Sequence, residues 1–90
     1  MVLYLGEKSY VYAEVSAATG VTFTISSVKY TIYKCSDDSV VDSGVGGVSD
    51  HLVYALWEPS ETGLFVVDFD YVVGSETRTS RQVVEVTKTI

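Results

Sequence analysis

Trp57 to Val73 reads WEPSETGLFVVDFDYVV, and the second half of this stretch decides the fold. Phe65, Val67, Phe69, Tyr71 and Val73 fall on one phase of a two-residue period, with Asp68 and Asp70 on the other. That period belongs to a strand with one face against a core. Pro59 and Gly63 mark a corner leading into it, and Gly74-Ser75 marks a turn out of it. Glycine in the first position of a two-residue hairpin loop suits a type II′ turn, with type I′ the alternative. The second arm is then Glu76 to Lys88. Counting back from Val73 opposite Glu76 places Asp68 opposite Arg81 and Phe65 opposite Val84. It also sets Phe69 against Ser80, a mismatch that a bulge near Thr79-Ser80 would relieve in part.

Upstream of this hairpin the same period recurs. Ser9 to Val15 carries Val11, Ala13 and Val15 on one face, with Tyr10, Tyr12 and Glu14 on the other. Val21 to Ile25 (VTFTI) alternates, Ser26-Ser27 breaks it, and Val28 to Cys35 follows with Val28, Tyr30 and Ile32 inward. Ser36-Asp37-Asp38-Ser39 has the side chains that close turns on their own backbone. Val40 to Asp42 pairs back as a short strand. Gly44 to Val48 reads as a connection, and Leu52 to Trp57 as a central strand, apolar nearly throughout. Seven strands with turn signals every ~8–12 residues predict an all-β, antiparallel β-sandwich. Residues 1–90 are expected to form a single domain; a chain of this size buries only about 60–65% of its unfolded surface.

Composition narrows the function. The chain has a hydrophobic fraction of 47%, a net charge of −6 and only six Lys and Arg, which are scattered. A nucleic-acid binder needs a basic face, so none is expected here. One cysteine cannot form an internal disulfide, and nothing points to an oxidising compartment. The apolar residues 1–5 lack a basic flank and end at Gly6-Glu7-Lys8, so neither a signal peptide nor a membrane span is expected. The chain starts at Met1, consistent with a whole gene product.

The residues that could carry chemistry are sparse. His51 is the only histidine and Cys35 the only thiol, with no spacing that pairs them as nucleophile and base. His51 is read as exposed or at a strand edge, and Cys35 as a partly buried thiol at a strand end. Asp68 and Asp70 share a convex strand face, and Asp37, Asp38, Asp42 and Asp50 lie in the middle loops. None follows the spacing of a calcium loop, and ion pairing and solubility account for them. No catalytic, cofactor-binding or metal residues are assigned, and no small-molecule substrate is indicated. The tyrosines are more suggestive. There are seven, too many for so small a core, and Tyr10, Tyr12 and Tyr33 fall on the polar phase of their strands. Tyrosine buries area while keeping a wet end, which suits a protein contact face.

Glu61-x-Gly63-x-Phe65-x-Val67 resembles the strand-F pattern of immunoglobulin domains, with Glu, Phe and Val substituted and no corner tyrosine or paired cysteines. Over Val21 to Val86 the chain is similar to small immunoglobulin-like proteins encoded by tailed bacteriophages and prophages. Trp57, Pro59, Gly63, Phe69, Tyr71, Gly74, Glu76 and Arg78 carry that likeness. The resemblance implies an immunoglobulin-like sandwich with a structural, non-enzymatic role in a virion. Its implied partners are phage structural proteins or further copies of itself. It would reside in a virion, or in the bacterial cytoplasm before assembly. The alternative is a surface adhesion or carbohydrate-binding module using Tyr10 and Tyr12 as a stacking platform.

Overall fold

The computed structural model describes residues 1–16 and 24–88. Eight strands are present: β1 Val2–Tyr4, β2 Ser9–Glu14, β3 Ile25–Lys34, β4 Val40–Val45, β5 Gly47–Ser49, β6 Leu52–Trp57, β7 Gly63–Val73 and β8 Glu76–Thr87. They form a five-stranded sheet in the order β1-β8-β7-β3-β4 and a three-stranded sheet in the order β2-β6-β5. The molecule is all-β, and one core cluster draws residues from both sheets, the arrangement of a β-sandwich.

The β7–β8 hairpin has the register that its turn dictates, without interruption from Val73 opposite Glu76 to Gly63 opposite Val86. Gly74 has φ +63°, whereas Ser75 is not in the left-handed region, the dihedral pattern of a type II′ turn. Phe65, Val67, Phe69 and Tyr71 are buried and Val73 packs against the core. There is no bulge at Thr79-Ser80. Ser80 tolerates its place opposite Phe69 because the neighbouring Tyr71 hydroxyl lies 2.6 Å from its Oγ, so both inward polar groups are satisfied.

Four sequence expectations need correction. The described residues form eight strands rather than about seven, and the sandwich is not wholly antiparallel, since β1 lies parallel to β8. The apolar residues 1–5 supply that strand, whose Leu3 is buried. The expected strand Val21 to Ile25 lies mostly outside the described residues, but Ile25 opens β3. Ser26-Ser27 does not end a strand. It forms a bulge in β3, where Ser27 adopts φ +55° and the register against β7 shifts. Finally, Gly44 to Val48 is not a bare connection: Gly44-Val45 pair with β3, and Gly47–Ser49 pair with β6.

Between those two pairings the chain switches sheets at Gly46, whose N–H donates to the Val28 carbonyl at 2.9 Å. A Cβ there would lie 2.6 Å from the Tyr54 carbonyl oxygen, so the crossing requires a residue without one. In β6, Val53, Ala55 and Trp57 face the core, and Trp57 meets Phe65 edge to face at 5.2 Å. Leu52, Tyr54 and Leu56 therefore point away from it.

Candidate interaction face

The outer face of the three-stranded sheet follows from the register. Tyr10 stands opposite Leu56, Tyr12 opposite Tyr54, and Glu14 opposite Leu52. On the far side Gly47 opposes Tyr54 and Ser49 opposes Leu52. Tyr10, Tyr12, Leu52 and Leu56 are all exposed, and Tyr54 is half-buried. The patch is thus three tyrosines and two leucines with Ser49; Glu14 borders it at one end, and Lys8 and Glu58, just beyond the Ser9–Trp57 pair, border it at the other. Isolated exposed apolar residues are ordinary, whereas contiguous apolar patches above about a few hundred Å² are uncommon on monomeric proteins.

Two details shape this patch. Tyr54 lies down across β5, and this is possible because residue 47 is glycine: a Cβ there would sit 2.5 Å from the Tyr54 ring. Tyr10 stands against Tyr54 edge to face, with ring centroids 5.4 Å apart. Beside the upright ring is a shallow hollow of about 320 Å³ lined by Tyr10, Tyr12, Ser49, Leu52 and Tyr54. The patch therefore has both relief and depth.

Tyr33, grouped with Tyr10 and Tyr12 by phase, lies on the other sheet. It faces outward from β3 between Val40 of β4 and Val66 of β7, and Val66 in turn opposes Val83 of β8. This second apolar row crosses four strands but is bordered by charge. Arg81 holds Asp68 through two hydrogen bonds of 2.8 and 3.0 Å, which raises the guanidinium pKa above its ordinary value. Thr79 donates to Asp70 at 2.6 Å. The two aspartates are thus engaged across the β7–β8 ladder rather than turned toward each other.

The remaining titratable groups lie at separate places in the fold. Cys35 is exposed, not partly buried as expected, because β3 ends at Lys34 and the thiol falls in the turn beyond. Near it, the Lys34 ammonium sits 2.7 Å from Glu61, and that hydrogen bond raises its pKa. His51 is exposed in the turn between β5 and β6, and its carbonyl accepts from the Val15 N–H. Asp37 accepts from the Ser39 hydroxyl at 2.7 Å and the Ser39 N–H at 3.0 Å, which lowers its pKa. Tyr30 donates to Asp42, and its pKa is raised first by burial and then by that carboxylate. Among the described residues no three His, Cys, Asp or Glu converge as a metal site requires, and no helix is long and apolar enough to cross a membrane.

The sequence pointed to Tyr10 and Tyr12 but missed Leu52, Tyr54 and Leu56. A run apolar on both phases conceals which phase is exposed; the pairing with β2 reveals it. No protein family, curated protein or solved structure matches the chain.

Proposed function

We propose that this protein is a non-enzymatic immunoglobulin-like domain that works by protein contact through the tyrosine–leucine face of its three-stranded sheet. The observation carrying this reading is the uncharged patch of Tyr10, Tyr12, Leu52, Tyr54 and Leu56 on a molecule of net charge −6. Interfaces are enriched in aromatic residues at their centre and depleted of charge there.

Strand order supports the immunoglobulin-like part of the reading. The sets β2-β6-β5 and β8-β7-β3-β4 match the B-E-D and G-F-C-C′ sheets of that architecture. The first strand departs from it by joining the last strand rather than β2. The likeness carried by Trp57, Pro59, Gly63 and the β7–β8 hairpin makes phage or prophage structural proteins the expected partners. Affinity capture and cross-linking against the products of neighbouring genes test the reading. Capture of a virion protein, lost in the Tyr12→Ala/Leu56→Ser variant, is the expected result. A protein that engages neither a neighbouring gene product nor itself overturns it.

Carbohydrate binding is the second reading, favoured by the hollow beside the edge-to-face Tyr10 and Tyr54 rings. A sugar site needs polar groups around its platform, and here Ser49 and the phenols supply them. Binding on a glycan array that Tyr10→Ala abolishes would establish this reading over protein contact.

A further inference from the structure

We infer that the open edge of β8 between Glu76 and Val83 pairs antiparallel with the same edge of a second copy, joining two five-stranded sheets into one. The inference uses a different surface from the tyrosine–leucine face and stands independently of the reading above.

β1 pairs with β8 only along Glu85–Thr87, and among the described residues no strand flanks the rest of that edge. The Glu85 N–H bonds outward to the Met1 carbonyl. Backbone direction alternates along a strand, so Thr77, Thr79 and Arg81 aim their N–H and C=O groups out of the sheet. Two other edges are capped. Gln82 holds the Tyr12 carbonyl of β2, and Asp42 holds the Ser43 N–H of β4. On β8 the polar side chains turn away from the edge instead. Thr79 bonds to Asp70 and Arg81 to Asp68, both on β7, and Arg78 pairs with Glu76 along its own strand. The stretch also lacks lysine, proline and any bulge, which are common means of keeping an edge unpaired.

A bare edge recognises an extended backbone, and one register suits a second copy of this one. With a two-fold axis between the two Thr79 residues, Thr77 stands opposite Arg81 of the second copy. Thr77, Thr79 and Arg81 of each copy then exchange backbone hydrogen bonds in both directions. On the other phase Arg78 faces Ser80 and Glu76 faces Gln82, so no like charges are directly opposed. An axis at Arg78 or at Arg81 would set arginine against arginine. An axis at Ser80 would run the second copy's Gly74-Ser75 turn into Glu85, whose N–H Met1 already holds. Net charge favours the same approach. The chain carries −6, yet Thr77 to Val84 contains two arginines and no acidic residue. Copies meeting along this stretch avoid the repulsion between acidic surfaces.

Sedimentation equilibrium of the full chain, from about 1 µM to about 500 µM, tests this pairing together with amide hydrogen exchange. Circular dichroism checks that every variant folds. The wild-type chain is expected to dimerise. The amides of Thr77, Thr79 and Arg81 should then exchange about tenfold or more slowly at the highest concentration than at the lowest. Thr79→Pro removes an outward N–H and no bond to β7, and is expected to weaken the dimer by about tenfold or more. Thr79→Lys sets two ammonium groups across the axis and is expected to act likewise, even if the proline variant does not fold. A wild-type chain that stays monomeric at every concentration overturns the inference. A dimer that Thr79→Lys leaves unchanged overturns it too, as does one whose Thr77, Thr79 and Arg81 amides gain no protection.

Discussion

Residue by residue, the molecule separates positions where volume matters from those where it does not. Phe69 is fully buried at the centre of β7. Phe69→Ala should cost about 3–5 kcal/mol, read from urea unfolding midpoints, and a loss below about 1 kcal/mol would contradict its place in the core. Adjacent glycines make a sharper contrast. A methyl group at Gly46 meets the Tyr54 backbone oxygen, whereas one at Gly47 meets the free end of the Tyr54 ring. Gly46→Ala should therefore destabilise by about 1–3 kcal/mol, the range for forcing atoms into packed structure. Gly47→Ala should leave stability nearly unchanged and lift the ring, a shift visible in the Tyr54 aromatic NMR resonances. Equal losses from the two would show that the strand switch does not depend on close approach. Asp37 provides a test against pH. Its pKa is lower folded than unfolded, because Ser39 donates twice to the carboxylate. Its contribution to stability is present above the ordinary carboxylate pKa and is lost as pH falls through the lowered one. Asp37→Asn should flatten that part of the acid limb in unfolding curves taken from pH 6 to pH 2.

At the scale of elements, the question is how unpaired edges are kept from unwanted pairing. The Val15 N–H bonds to the His51 carbonyl, which fixes the odd residues of β2 as those bonded to β6. The backbone of Tyr10, Tyr12 and Glu14 therefore points out of the sheet. Gln82 reaches over from β8 and donates to the Tyr12 carbonyl at 3.1 Å, taking the place of a neighbouring strand. At the opposite edge, β4 is exposed nearly throughout and carries Val40, Val41 and Val45. Here Asp42 accepts from the Ser43 N–H at 2.8 Å and from the Tyr30 hydroxyl. Acidic residues on an edge strand are a recognised guard against edge-to-edge aggregation. Asp42→Val should accordingly raise light scattering on prolonged incubation while secondary structure stays β. Unchanged scattering would remove Asp42 from that role. None of this was legible in a linear reading. The two-residue period gives each strand its faces, so β7, β8 and the core side of β2 were readable from alternation alone. It does not say which strand lies at an edge, which is why β5 and the exposed phase of β6 were missed. Three-residue strands such as β1 and β5 are too short to show a period at all.

For the whole molecule, the dominant fact is that the chain closes on itself. β1 and β8 come from opposite ends of the sequence and pair along Val2–Tyr4 and Glu85–Thr87. Bonds from the Glu85 N–H to the Met1 carbonyl and from the Leu5 N–H to the Thr87 carbonyl extend the seam. Pairings so distant in sequence are slow to form, and single-exponential refolding in milliseconds to seconds is expected by stopped-flow fluorescence of Trp57. Microsecond refolding would mean that local structure sets the rate. The likeness behind the sequence reading lay in Trp57, Pro59, Gly63 and the β7–β8 hairpin, which shape the fold. The proposed contact face was only half visible, since Leu52, Tyr54 and Leu56 join Tyr10 and Tyr12 through pairing between separate strands.

The terminal seam also sets how the protein bears mechanical load. Because β1 and β8 run the same way, tension applied to the two ends slides one strand along the other. The bonds joining them are then strained together, instead of one after another as in an opening hairpin. Stretched between two tethers, this small domain should hold until the seam shears and then give way in a single step. An atomic-force trace with a gradual, low-force extension would show that the load travels by another route.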